Sequence, residues 1–153
     1  MTPRGYEIVV AELRRHKEVL RPQNVRDIEE ARAHGDISEN AEFDAAKDRQ
    51  ALLEAKTNDL EHRVTVAEVI DVTTISATDR VIFGVTVKLL DVDSDEEVQY
   101  RIVSEEEADA RMGFITPTSP IGRALLGRNE GDEVRVKTPR RVREFEILEV
   151  QYI

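Results

Sequence analysis

The sequence predicts an α+β protein. An N-terminal antiparallel two-helix coiled coil is expected over residues 1–72, then a mainly antiparallel sheet domain with short helices over residues 73–153. Three observations carry this reading. Apolar residues recur at helical spacing through most of the first seventy or so positions. One glycine, Gly35, interrupts that pattern where the chain can double back. After Ile70 the apolar period changes to two, with turn residues between short runs.

Thr2-Pro3 opens the first helix. The hydroxyl can cap the first turn, and proline sits where its missing N–H is not needed. Tyr6, Val9, Val10, Leu13 and Leu20 follow at helical spacing. Pro22 removes one backbone bond and crowds the preceding turn, which costs roughly 3 kcal/mol in a helix interior. A kink is therefore expected near residues 18–22. The helix resumes through Val25, Ile28 and Ala31 and stops at Gly35. The second helix is expected from near Ser38 to about Glu68. Ala46, Leu53, Leu60 and Ala67 are spaced by seven, Phe43 and Val64 lie on the neighbouring stripe, and Gln50 and Thr57 are polar interruptions. This repeat suits two helices packed as a coiled coil. About thirty residues at 1.5 Å rise give a rod roughly 45 Å long, so its tip is expected to project.

Residues 71–80 read as a polar connection. Val85, Val87 and Leu89 then alternate with Thr86 and Lys88, Asp93-Ser94-Asp95 makes a turn, and Val98, Tyr100 and Ile102 alternate on the return. A short helix is expected within residues 105–110 and a short strand at Phe114-Ile115. Ser119-Pro120 repeats the cap-plus-proline start, so one or two helical turns should run to Gly127. Gly131-Asp132 turns the chain into a final hairpin, residues 134–137 with 144–152.

The composition excludes several classes. Charged residues make up 35% of the chain, and no apolar run approaches the roughly 18–20 residues that cross a bilayer. The N-terminus lacks the apolar core of a signal peptide, so a cytoplasmic protein that meets no membrane is expected. Without cysteine there are no disulfides and no thiolate metal sites. A formal charge of −10 argues against general duplex binding, which needs a basic face to displace counterions. His16, His34 and His62 show no metal-ligand spacing, which argues against a nuclease with a complete metal site of its own.

The chemistry concentrates at the expected tip. Asp36 and Glu39 are three apart, and Glu42 follows after three more, so their carboxylates share one face of a first helical turn. A capping box and the helix dipole account for such acids structurally. A partial cation site accounts for them functionally. Mg²⁺ often takes only one or two protein carboxylates, with waters and phosphate oxygens filling the rest. Such a tip could complete a two-metal phosphoryl-transfer centre in another protein.

His34-Gly35-Asp36-Ile37-Ser38-Glu39-Asn40-Ala41-Glu42-Phe43 resembles the coiled-coil tip of the bacterial GreA/GreB transcript cleavage factors, closer to the GreA branch. The resemblance continues collinearly. It includes Val69-Ile70-Asp71-Val72-Thr73, Arg80-Val81-Ile82-Phe83-Gly84, Asp93-Ser94-Asp95-Glu96-Glu97 and Tyr100-Arg101-Ile102-Val103. It reappears in Ser119-Pro120-Ile121-Gly122-Arg123-Ala124-Leu125-Leu126-Gly127 and in Lys137-Thr138-Pro139.

The resemblance implies an FKBP-like sheet domain that docks on bacterial RNA polymerase. It implies a coiled coil that passes down the polymerase secondary channel toward the catalytic Mg²⁺. Asp36 and Glu39 match the tip acids that help hold that ion while the polymerase cleaves a backtracked RNA 3′ end. Glu42 is a further candidate, with a capping or dipole role as its structural alternative. Arg32 and Lys47 match a small basic patch toward extruded RNA. Ordinary ion pairing, as of Lys47 with Asp44, is the alternative. Ser119, Pro120 and Ile121 match a polymerase-contacting loop and also form a plain helix cap.

The implied protein is a monomeric stimulator with no activity of its own. A homologue that occupies the channel and inhibits without cleavage is the alternative. The family usually has Gly-Gly where this chain has Arg140-Arg141. A different turn and an extra basic spot are expected there.

Overall fold

The computed structural model describes residues 1–34 and 41–153. The chain divides into two compact units, Tyr6–Ala67 and Met1–Gly5 together with Glu68–Ile153.

The helical unit is an antiparallel hairpin. Helix α1, Pro3–Arg15, starts where Gly5 N–H donates to Thr2 Oγ1 at 3.0 Å. It leads through a π turn, His16–Leu20, into α2, Arg21–Ala33. The expected break before Pro22 takes this form: Arg21 N–H reaches back five residues to His16 O, a register shift at the point where proline removes a donor. Helix α3, Ala41–Val66, returns, ending two residues short of the expected Glu68. Its expected start near Ser38 lies outside the described residues.

The α3 seam follows the sequence repeat. Ala46, Thr57 and Leu60 are buried, and Phe43, Gln50, Leu53, Val64 and Ala67 are half-buried between them. Thr57 is accommodated because its hydroxyl donates to Leu53 O at 2.8 Å. On α2 the seam runs through a polar residue. Val25 is exposed and Asn24 is buried in its place. Asn24 lies seven before the buried Ala31, whereas Val25 is turned about 100° around the helix from Asn24. Asn24 Nδ2 donates to Ala46 O at 3.0 Å across the hairpin, so its amide is satisfied. Lys17 with Glu61, Arg21 with Glu54 and Asp27 with Arg49 pair along the sides. The pairs run in opposite directions along the two helices, as an antiparallel hairpin requires.

The sheet unit holds five strands in the order β3-β2-β1-β5-β4. These are β1 Thr86–Asp91, β2 Glu97–Ile102, β3 Phe114–Ile115, β4 Glu133–Lys137 and β5 Val142–Gln151. The pairs are antiparallel except β2 with β3, which is parallel. The period-two residues Val87 and Leu89 are fully buried with Val85, Ile102, Val136, Phe145 and Ile147. Helix α4, Pro120–Leu125, contributes Leu125 to the same core.

A bulge falls on β5, where Lys88 faces Glu149 but Leu89 faces Ile147. No helix forms over residues 105–110, contrary to the sequence reading. There is a turn instead, then a single 3₁₀ turn, Ala110–Met112, opened by Asp109, whose carboxylate accepts from Arg111 N–H at 3.0 Å. Asp109 is a strong local cap, and its extended backbone (φ −152°) stops a helix from running through it.

Met1 O accepts from Ile70 N–H at 2.8 Å, which ties the first residues to the start of the sheet unit. The Arg140-Arg141 turn needs no left-handed backbone. Among the described residues Asp95 is the only non-glycine with positive φ, at 57°. Thr138 closes the turn instead: its N–H and hydroxyl both donate to Arg141 O, at 3.0 and 2.8 Å.

Candidate functional site

The candidate site is the turn end of the helical hairpin. Asp36 and Glu39 lie outside the described residues, between the end of α2 at Ala33 and the start of α3 at Ala41. Their flanks are described, and packing of α2 on α3 brings those flanks together. His34 Nδ1 stands 3.5 Å from Glu42 Oε2. Arg32, in the last turn of α2, places its guanidinium 6.0 Å from the centroid of the Phe43 ring. That is the outer reach of a cation–π contact. Arg32 is exposed, so its charge still faces solvent.

Lys47 is also exposed and donates from Nζ to Gln50 Oε1 at 2.9 Å. Glu42 is exposed and lines a shallow hollow with Asp27, Glu30, Ala31, Ala45, Ala46 and Arg49. Arg49 Nη1 lies 3.4 Å from Asp27 Oδ2 within it. Small residues let the helices approach closely here, so charged groups from both converge at one end. Among the described residues no three His, Asp or Glu side chains gather into a metal-sized group.

Sequence reasoning missed Asn24. It holds α2 to the α3 backbone some three turns before the connection, at 3% exposure. Its signal was present as a polar residue seven before a seam alanine.

The second candidate segment is in the sheet unit. Ser119 Oγ accepts from Gly122 N–H at 3.1 Å and donates to Thr116 O at 2.7 Å. This double bond locks the start of α4. Pro120 is exposed, while Ile121 is half-buried against the core. Capping thus fixes the backbone and leaves Pro120 outward. Among the described residues, carboxylates with lowered pKa values include members of structural ion pairs. Asp91 is held below the usual aspartate range chiefly by Arg143, and Glu61 is lowered by Lys17.

Two family descriptions match the chain. "Transcription elongation factor, N-terminal" covers residues 1–69, and "Transcription elongation factor, GreA/GreB, C-term" covers residues 76–152. The chain belongs to the GreA/GreB family of transcription elongation factors. Within that family it is 48% identical to the transcription elongation factor GreA of Neisseria meningitidis serogroup A, over 100% of this chain and 97% of the relative. It is 52% identical to GreA of Anaeromyxobacter sp. strain K, over 100% of this chain and 92% of the relative. A crystal structure of GreA factor homolog 1 of Thermus thermophilus is similar at 29% identity and a TM-score of 0.44, covering 99% of this chain and 97% of that one. No described helix is long and apolar enough to cross a membrane.

Proposed function

We propose that this chain enters the secondary channel of bacterial RNA polymerase and stimulates the polymerase's own Mg²⁺-dependent cleavage of backtracked RNA 3′ ends. One observation carries the reading. An acid-bearing stretch, with Asp36 and Glu39, joins two antiparallel helices in a chain that matches an elongation-factor family along nearly its whole length.

In this reading Asp36 and Glu39 lend carboxylate oxygens to an ion that the polymerase holds. Such hard donors suit Mg²⁺, and two of them leave room for waters and phosphate oxygens. The ion, when bound, makes a water nucleophilic at neutral pH and steadies charge on the oxygens of the phosphodiester. The chain's own work is to bring and orient the two acids. Glu42 adds a further carboxylate, placed against His34. Arg32 and Lys47 attract the phosphates of extruded RNA, a contact that positions without reading sequence. Ser119, Pro120 and Ile121 dock the sheet unit on the polymerase, with the capped turn holding Pro120 outward. The protein acts in the cytoplasm as a monomer and has no activity without the polymerase.

The test uses stalled, backtracked elongation complexes with labelled RNA and Mg²⁺. Adding the protein shortens the RNA and restores elongation. Blocked nucleotide addition without shortened RNA would refute the reading in favour of channel occlusion. Shortening of naked RNA by the protein alone would refute it in favour of a nuclease.

A further inference from the structure

The two hairpin turns at one end of the sheet carry opposite charge. The β1–β2 turn exposes Asp93, Asp95 and Glu96. The β4–β5 turn exposes Lys137, Arg140 and Arg141. Strand pairing sets the turns side by side. Asp91 faces Phe145, and Val92 N–H donates to Glu144 O at 3.0 Å. Arg141 and Arg143 line one hollow with Asp91, Asp93, Ser94 and Glu96.

Arg143 is committed internally, with Nη2 at 3.0 Å from Asp91 Oδ2 and its guanidinium 4.7 Å from the Phe145 ring centroid. Arg135 pairs with Glu144 at 2.9 Å. The side chains of Lys137, Arg140 and Arg141 have no ion pair among the described residues. Val92 and Val142, each 48% exposed, lie on the same two turns. Strand β3 runs parallel to β2, away from this end, and the chain continues from it to Ser119-Pro120-Ile121. That segment therefore lies toward the opposite end of the sheet.

We propose that the paired turns are a second docking surface, whose partner is a face of the polymerase protein that sets acids against Lys137, Arg140 and Arg141 and bases against Asp93, Asp95 and Glu96. The inference rests on the polymerase reading above. Charge decides the kind of partner. A nucleic-acid backbone crossing the basic turn would meet the acids of the neighbouring turn, and the chain as a whole carries −10. A protein face can mirror both signs and cover the two valines between them. Opposed charges of this sort set orientation and association rate more than contact area does.

The test measures affinity of the full-length protein for stalled elongation complexes at low and moderate salt, together with the RNA cleavage rate at saturation. The variants are Arg140→Gln with Arg141→Gln, and Arg140→Glu with Arg141→Glu. Neutralisation is expected to weaken affinity about three-fold and reversal about ten-fold. Both should flatten the salt dependence and leave the saturated cleavage rate unchanged. Should a pair lower Tm, Arg140→Gln alone serves, because the bonds closing the turn join Thr138 and Arg141.

Wild-type affinity and salt dependence in the variants would overturn this inference while leaving the polymerase reading intact. Weakened binding to free duplex DNA with unchanged polymerase affinity would overturn it in favour of a nucleic-acid contact. Wild-type protein that fails to bind the complexes at all would sink both readings.

Discussion

Substituting Asn24 in two ways separates the contributions that hold the helical hairpin. Asn24 is 3% exposed, and its Nδ2 donates to Ala46 O at 3.0 Å. Ala46 lies inside α3, so its carbonyl keeps its own helical partner four residues on. Removing the amide therefore leaves no orphan acceptor. The lost bond is worth about 1 kcal/mol net. Asn24→Ala loses that bond and fills nothing, for a destabilisation of about 1–2 kcal/mol. Asn24→Leu keeps the branching of the side chain and buries apolar surface worth about 1.5–3 kcal/mol. After the lost bond and some crowding, a net gain of about 1 kcal/mol remains. Urea unfolding followed by the helical circular dichroism signal should order the midpoints Leu above wild type above Ala. A Leu variant weaker than wild type by more than about 1 kcal/mol would refute the reasoning, since it would mean the seam needs the amide itself.

Three further outcomes are expected. Gly84 has φ +94°, and a Cβ there would come within 2.9 Å of Val72 Cγ1. Gly84→Ala should therefore cost roughly 1–3 kcal/mol, read as a lower Tm, and an unchanged Tm would contradict the strain. Asp91 is held below its ordinary value chiefly by its hydrogen bond to Arg143, with the Ser94 and Asp93 amides adding to it. A carboxylate lowered on folding stabilises above its unfolded pKa, about 3.9 for aspartate. That contribution is lost as pH falls through the lower folded value. Urea midpoints taken toward acid pH should fall less steeply for Asp91→Asn than for wild type, and parallel curves would count against the coupling. Arg32→Ala with Lys47→Ala should slow RNA cleavage several-fold at equal polymerase occupancy. Equal rates would assign the two residues to the helix surface alone.

How much could be read from the sequence differs by element. The α3 seam was legible because its buried and half-buried positions fall on two sevenfold stripes, Ala46, Leu53, Leu60 and Ala67 beside Phe43, Gln50, Thr57 and Val64. The α2 seam was less legible: apolar character alone brings Val25 into the helix, and only the sevenfold spacing back from Ala31 points to Asn24 as the buried position. Pro22 announced a break, but whether a helix answers with a bend or a π turn depends on which carbonyl the next free N–H reaches, here His16 O. Thr2-Pro3 and Ser119-Pro120 were legible as starts because capping is local chemistry. The adjacency of β1 and β5, about sixty residues apart, depends on closure of the whole sheet and has no local signal. The same non-local pairing sets the acidic and basic turns side by side, so each turn could be read alone while their juxtaposition could not. Asp36 and Glu39 came from spacing and resemblance, and they lie outside the described residues.

The most direct test measures polymerase binding and RNA cleavage separately for Asp36→Ala and Glu39→Ala, in backtracked elongation complexes with Mg²⁺. The account predicts wild-type affinity for the complexes and RNA that stays full length, as it does without the protein. Undiminished cleavage by both variants, or loss of cleavage that merely follows loss of binding, would contradict it.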